Sequence, residues 1–142
     1  MCDGVHIDIP PGIRGIVILN INSYAGGVTM WAPTVQALED SIQFEPVRPG
    51  DTVQGEIKWG SARCDDGLLE VMGVYGIRHL GLIKSGLLKA LPLCQGRDLG
   101  VTFKNRMPMQ VDGEPFMTKP STVNITFAQR LDITTLVSSL RN

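Results

Sequence analysis

The chain has 142 residues, a length that fits one compact domain. Hydrophobic residues make up 43 % of it and charged residues 19 %, which is enough for a core and excludes a disordered chain. With 13 basic and 14 acidic residues the net charge is −1, so a nucleic-acid partner, which requires a basic face, is not expected. Cys2, Cys64 and Cys94 are an odd number without metal-type spacing and read as reduced cytosolic thiols. The first residues lack the basic-then-apolar pattern of a secretory leader, and no stretch approaches the ~20 apolar residues of a membrane span. A cytoplasmic chain is therefore expected, with local patches still able to meet a membrane surface.

Sixteen glycines and nine prolines punctuate short apolar runs, a pattern of strands and turns. Asp3-Gly4 is a hairpin-turn dipeptide, and residues 5–9 after it alternate like a strand. Only two residues precede that turn, which suggests a domain truncated at its N-terminus. Residues 16–21 form a β-branched run that predicts a buried strand. Ser23-Tyr24-Ala25-Gly26-Gly27 follows it, and paired glycines allow close backbone approach to a ligand or a strand. Residues 36–42 suggest a short helix, Pro46, Pro49 and Gly50 a loop, and residues 53–59 an edge strand. Residues 68–75 predict a strand with Leu69, Val71 and Gly73 on one face and Leu68, Glu70, Met72 and Val74 on the other.

In residues 77–91 the apolar positions Leu80, Ile83, Leu87 and Leu91 recur at three- and four-residue steps, predicting an amphipathic helix that Pro92 ends. Gly81 and Gly86 weaken it, and Arg78, His79, Lys84 and Lys89 are placed among its polar positions. Short strands are expected at residues 101–103 and 107–111. Residues 122–127 alternate, with Val123, Ile125 and Phe127 on one side. The fold class that results is mainly β, a β-rich α+β unit: an antiparallel, sandwich-like lobe with one amphipathic helix.

Two acidic turns could carry chemistry. Asp112-Gly113 is a type I′ turn signal that sets Asp112 and Glu114 at a sheet end, where a carboxylate can take a hydroxyl proton or orient a metal or nucleotide. Asp65-Asp66-Gly67-Leu68 offers oxygen ligands for a hard cation, with backbone carbonyls completing the set. His6 and His79 have no matched serine and acid, so a hydrolase triad is not supported. Neither GxxxxGK[ST] nor GxGxxG occurs, so no phosphate-cradling loop is recognisable.

Three stretches taken in order resemble the accessory domain of eukaryotic diacylglycerol kinases. They are Gly15-Ile-Val-Ile-Leu-Asn-Ile-Asn-Ser-Tyr-Ala-Gly-Gly-Val continuing to Trp31, Leu68-Leu-Glu-Val-Met-Gly-Val-Tyr-Gly continuing to Gly81, and Pro108-Met-Gln-Val-Asp-Gly-Glu-Pro. The resemblance implies a β-rich lobe of an enzyme that uses ATP and Mg²⁺ to convert diacylglycerol to phosphatidic acid in lipid signalling. It implies Glu114 as the catalytic base, by similarity to bacterial lipid kinases, and Asp112 as a residue that orients the nucleotide. It further implies a structural Mg²⁺ held by the Asp66 side chain and the carbonyls of Arg63 and Leu68. The Gly-Gly-Asp-Gly loop of the family is missing. Residues 1–142 are thus expected to be a truncated accessory domain, inactive without a nucleotide-binding lobe, with peripheral membrane contact conceivable. Two alternatives remain: a non-catalytic module that binds lipid or protein through its exposed strand edge and residues 77–91, and a sphingosine or ceramide kinase fragment. The Asn20–Gly27 stretch favours diacylglycerol.

Overall fold

The structure is a computed structural model that describes residues 1–31 and 59–129. The expected helix at residues 36–42, the loop at Pro46, Pro49 and Gly50, and all but the last residue of the strand at 53–59 lie outside the described residues. What is described is mainly β, with antiparallel sheets and one helix. In chain order the elements are β1 (Gly15–Leu19), β2 (Leu69–Val74), α1 (Ile77–Lys84), β3 (Leu91–Gly96), β4 (Leu99–Phe103), β5 (Pro108–Val111), β6 (Glu114–Met117) and β7 (Ser121–Ile125). They form a three-stranded sheet in the order β1-β2-β3 and two antiparallel pairs, β4-β7 and β5-β6.

The alternation in β2 decides where the core sits. Met72 and Val74 project into one cluster with Met30, Trp31, Ile83, Leu88 and Ala90. Val71 projects the other way, into a second cluster with Cys2, Cys94 and Leu99. The central strand is therefore buried on both faces, α1 covering one of them through Ile83 and Leu80. β1, expected to be buried, is an edge strand. It lends Val17 and Leu19 to the first cluster and Ile18 to the second, and it leaves Ile16 and Ile21 exposed.

The N-terminal turn forms as the dipeptide predicts. Asp3 and Gly4 both have positive φ, and Cys2 and Val5 exchange backbone hydrogen bonds of 2.8 and 2.9 Å across them. The strand expected at residues 5–9 does not form; beyond Val5 no ladder continues it. The preceding residues pair instead with β4. Met1 and Gly100 exchange backbone hydrogen bonds of 2.8 and 3.0 Å, and Asp3 accepts from the Arg97 and Asp98 N–H groups.

The helix is shorter than its periodicity predicts, and the reason is Gly86. Its φ of 78° puts it in the left-handed region, and its N–H bonds back to the Ile83 carbonyl while that of Leu87 bonds to Leu82. This is a Schellman termination, with glycine as its left-handed residue. Leu91 and Pro92 belong to β3, outside the helix. The β2–β3 register shifts between Val71 and Met72, so that Cys94 and then Pro92 face them. A proline with no N–H to donate is tolerated at such a bulge on a strand at the sheet edge.

His79, expected on the polar face, is buried. Its Nδ1 accepts the Tyr75 N–H at 3.2 Å, which leaves the proton on Nε2, 3.2 Å from the Lys89 carbonyl. Burial lowers its pKa below the usual 6.5, against an upward pull from that carbonyl. The imidazole is thus a neutral tie between the start of α1 and the approach to β3. Among the described residues no helix is long and apolar enough to cross a membrane.

The two helix-region glycines should respond oppositely to alanine. Nothing lies within 4 Å of a Cβ at either, so backbone conformation alone decides. Gly86→Ala should destabilise by about 1 kcal/mol or more, and Gly81→Ala, inside α1, should stabilise by about 0.5–1 kcal/mol. Urea unfolding midpoints of the two variants, falling on opposite sides of wild type, are the check.

Candidate functional site

The sharpest acidic feature is the hairpin β5–β6. Its strands pair from Pro108↔Met117 to Val111↔Glu114, leaving Asp112 and Gly113 as a two-residue turn. Their φ values of 47° and 90° are those of a type I′ turn, whose twist matches the strands it joins. Asp112 and Glu114 are both exposed at the tip. The base of the hairpin is closed by the buried Thr118, whose N–H bonds to the Met107 carbonyl at 2.9 Å and whose Oγ1 accepts the Met107 N–H at 3.2 Å. Two solvated carboxylates, one within a rigid turn and one directly after it, can accept a proton from a hydroxyl or meet a cation.

The second acidic feature precedes β2. Arg63 pairs with Asp65 through two parallel contacts of 2.8 Å, Nε to Oδ1 and Nη2 to Oδ2. Asp66 takes no part in that fork. Its Oδ1 accepts the Leu68 N–H at 2.9 Å, folding the chain around Gly67, whose φ is 75°. Arg63, Asp66 and Leu68 thus lie in one tight loop. The donors on offer are a carboxylate and main-chain carbonyls, a set that fits a hard cation such as Mg²⁺. Among the described residues there is no group of three or more His, Cys, Asp or Glu side chains that could hold a metal. No hydrogen bond or ion pair among the described residues joins this loop to the Asp112–Glu114 turn.

The Ser23–Gly27 stretch makes a tight loop closed by reciprocal Tyr24–Val28 hydrogen bonds of 2.8 and 2.9 Å. Ala25, Gly26 and Gly27 all have positive φ there. No other group crowds the two glycines, so the close approach expected of them is not made within the described residues. Tyr24, Ala25 and Val28 face Leu80, Ile83 and Lys84 across a cavity of about 180 Å³.

Sequence reasoning passed over one residue. Glu70 is fully buried near the start of β2. Its register partner on β3 is Gln95, whose Nε2 donates to Glu70 at 2.9 Å. Gln95 Oε1 in turn accepts the Gly60 N–H at 2.9 Å, and Trp31 Nε1 donates to the Gly60 carbonyl at 2.9 Å. Glu70 Oε2 has no partner. Burial raises the Glu70 pKa above its usual 4.5; the Gln95 hydrogen bond opposes this and the charge of Asp66 adds to it. A lone acid in the otherwise apolar run from Leu68 to Val74 was the available signal.

Comparison with known proteins fits these features into one family. The family model described as "Diacylglycerol kinase accessory domain" matches residues 1–115, which include the Asp66 loop and the Asp112–Glu114 turn. The chain belongs to the diacylglycerol kinase accessory domain family. It is 33 % identical to diacylglycerol kinase 2 of Arabidopsis thaliana over 87 % of its own length and 15 % of that protein's. It is also 33 % identical to human diacylglycerol kinase theta over 83 % of its length and 10 % of that protein's. A probable diacylglycerol kinase 3 of Caenorhabditis elegans is 30 % identical over 89 % of this chain and 16 % of its own. The chain therefore spans only a small part of the relatives it matches. No solved structure matches it.

The buried acid gives a pH-dependent prediction. A raised pKa in the fold means that the stability carried by protonated Glu70 is complete below about 4.5 and is lost as pH rises through the folded value. At neutral pH the carboxyl therefore costs stability. Glu70→Gln keeps an oxygen for Gln95 and puts a neutral NH₂ in the place of Oε2. The variant should melt a few degrees above wild type at pH 7, with the gap closing as pH falls toward 4.5. A lower melting point at pH 7 would show that an ionised Glu70 is compensated in the fold.

Proposed function

We propose that this chain is the accessory lobe of an ATP-dependent diacylglycerol kinase, acting with a nucleotide-binding lobe that lies outside residues 1–142. The observation that carries this reading is the Asp112-Gly113-Glu114 turn, which holds two carboxylates in solvent on a preformed hairpin inside the matched family region. In this reading Glu114 accepts the proton of the diacylglycerol hydroxyl as it becomes the nucleophile. Asp112, one residue across the turn, orients the nucleotide. ATP supplies the phosphoryl group, and phosphatidic acid is the product. The acceptor is a lipid, so in this reading the enzyme works at a membrane surface, which we place on the cytoplasmic side. Because this chain carries no recognisable phosphate-cradling loop, it should not turn over alone.

The same reading assigns a structural Mg²⁺ to Asp66 and to the carbonyls of Arg63 and Leu68. Support comes from the donor chemistry of the tight loop that Asp66 closes on the Leu68 N–H. The cation would hold the loop that leads into β2. A site that exists only in the folded chain stabilises it when filled. Mg²⁺ should accordingly raise the melting temperature of the wild-type chain and leave that of Asp66→Asn unmoved. Equal shifts in the two proteins would remove Asp66 from the site.

The base assignment is tested in the chain joined to its nucleotide-binding lobe. Glu114→Gln keeps size and shape but cannot take a proton. Its turnover on diacylglycerol should fall by roughly 10²–10⁴-fold. Glu114 is exposed, so its stability should change by less than about 0.5 kcal/mol. Turnover within about threefold of wild type would refute the assignment, being far short of that loss. A larger loss in Asp112→Asn would transfer the role to the first carboxylate.

A further inference from the structure

One run of the chain is electrostatically unlike the rest. From Val71 to Arg97 there is no Asp or Glu, while Arg78, Lys84, Lys89 and Arg97 all carry positive charge, in a chain whose net charge is −1. Lys89 is tied to the Thr29 carbonyl at 2.8 Å. Arg78 and Lys84 are exposed on α1. Arg14 joins them: a Cβ at Gly76, just before the helix, would sit 3.4 Å from its Cδ.

The same end of the molecule exposes apolar side chains. Ile77, the first residue of α1, is 85 % exposed, and Leu87, just past its glycine stop, is 68 % exposed. At 3.6 residues per turn Ile77, Gly81 and Lys84 share one stripe of the helix, opposite the buried His79 and Ile83. The residue after the glycine in a Schellman turn commonly packs back onto the helix. Leu87 instead stands in solvent. Tyr75, partly exposed beside Ile77, adds a ring with a polar tip. Single exposed apolar residues are ordinary, but here they alternate with long basic side chains along an acid-free stretch. Basic and apolar groups interleaved on a short helix are the chemistry of a bilayer interface: the apolar groups enter the headgroup boundary and the cations meet anionic lipid.

We propose that the exposed side of α1, from Arg78 round through the Ile77–Lys84 stripe, and the turn that ends it form a docking surface for an anionic lipid bilayer. Ile77 and Leu87 enter the interface, and Arg78 and Lys84 pair with its headgroups. This deepens the kinase reading by giving the lobe a way to reach a lipid acceptor. Its test uses neither diacylglycerol nor nucleotide, so either idea can fail alone.

The full chain is sedimented with vesicles of phosphatidylcholine, or of phosphatidylcholine with about one-third phosphatidylserine. Binding should require phosphatidylserine and weaken with added salt. Neutralising Arg78 and Lys84 together as Gln should weaken it by about fivefold for each charge lost. Ile77→Gln with Leu87→Gln leaves the charge unchanged and should weaken it by about tenfold or more. Both double variants should melt like wild type, because the residues changed are exposed. Equal binding to neutral vesicles, no binding at all, or double variants that bind like wild type would overturn the proposal. A dimer in sedimentation that Ile77→Gln with Leu87→Gln dissolves would overturn it in favour of a second copy of the chain.

Discussion

β2 has to bury both of its faces, and the rest of the described architecture follows from that. A strand between two antiparallel neighbours with apolar residues on alternate sides needs a cover on each. On one side Met72 and Val74 are covered by α1, Met30 and Trp31. On the other, Val71 meets Cys94, Leu99 and Cys2, so the N-terminal residues and β4 are drawn in. The helix could not be longer and still serve, because the chain must turn back at once to supply β3 to the same strand. Gly86 makes that reversal with its left-handed backbone, and His79 ties the two ends of it together.

Glu70 sits at the point where this arrangement is least comfortable. In a strand buried on both sides any side chain facing the core must be apolar or hydrogen-bonded. Gln95 supplies one bond directly across the ladder and passes the connection to Gly60, which also takes the Trp31 indole. Trp31 stacks at a tilt on Trp59, with ring centroids 5.7 Å apart. A polar relay therefore joins three stretches that are distant in sequence, at residues 31, 59–60 and 95. Buried polar groups of this kind fix a register more than they add stability. Here the relay pins Glu70 opposite Gln95, one step before the bulge where the register shifts.

The legible parts of the fold were those set by local chemistry. Asp3-Gly4 and Asp112-Gly113 turned as their dipeptides required, because positive φ at two successive residues is a backbone matter. Strand β7 followed its alternation as far as Ile125, with Val123 and Ile125 half-buried, while Phe127 lies beyond its end and is exposed. What could not be read depended on distant partners. Pro92 looked like a helix stop, and only the β3 bulge opposite Val71 and Met72 gives it a place within a strand. His79 looked polar until Tyr75 and Lys89 are seen to satisfy both its nitrogens. The strand expected at residues 5–9 had the right alternation and no neighbour beyond Val5 to bond with. The candidate site divides in the same way. The Asp112–Glu114 turn and the Asp66 loop were visible as short motifs, whereas Glu70 is noteworthy only once its burial and its unpartnered oxygen are known.

The hairpin that carries Asp112 and Glu114 is tied to the fold differently from everything around β2. Among the described residues its two strands pair only with each other, and Thr118 clamps them at the base. Val111, Phe116 and Met117 on it are exposed, so it contributes nothing to either apolar cluster. A ribbon of this kind keeps its turn geometry through its own ladder and through Gly113, independent of core packing. Substitutions at its tip should therefore leave the stability of the lobe little changed. The Asp66 loop is the opposite case, since it leads straight into β2 and Asp66 bonds to the Leu68 N–H just before that strand. The two acidic motifs thus differ in kind: the described fold does not depend on the one at the hairpin tip, whereas the other is bound up with the strand on which that fold depends.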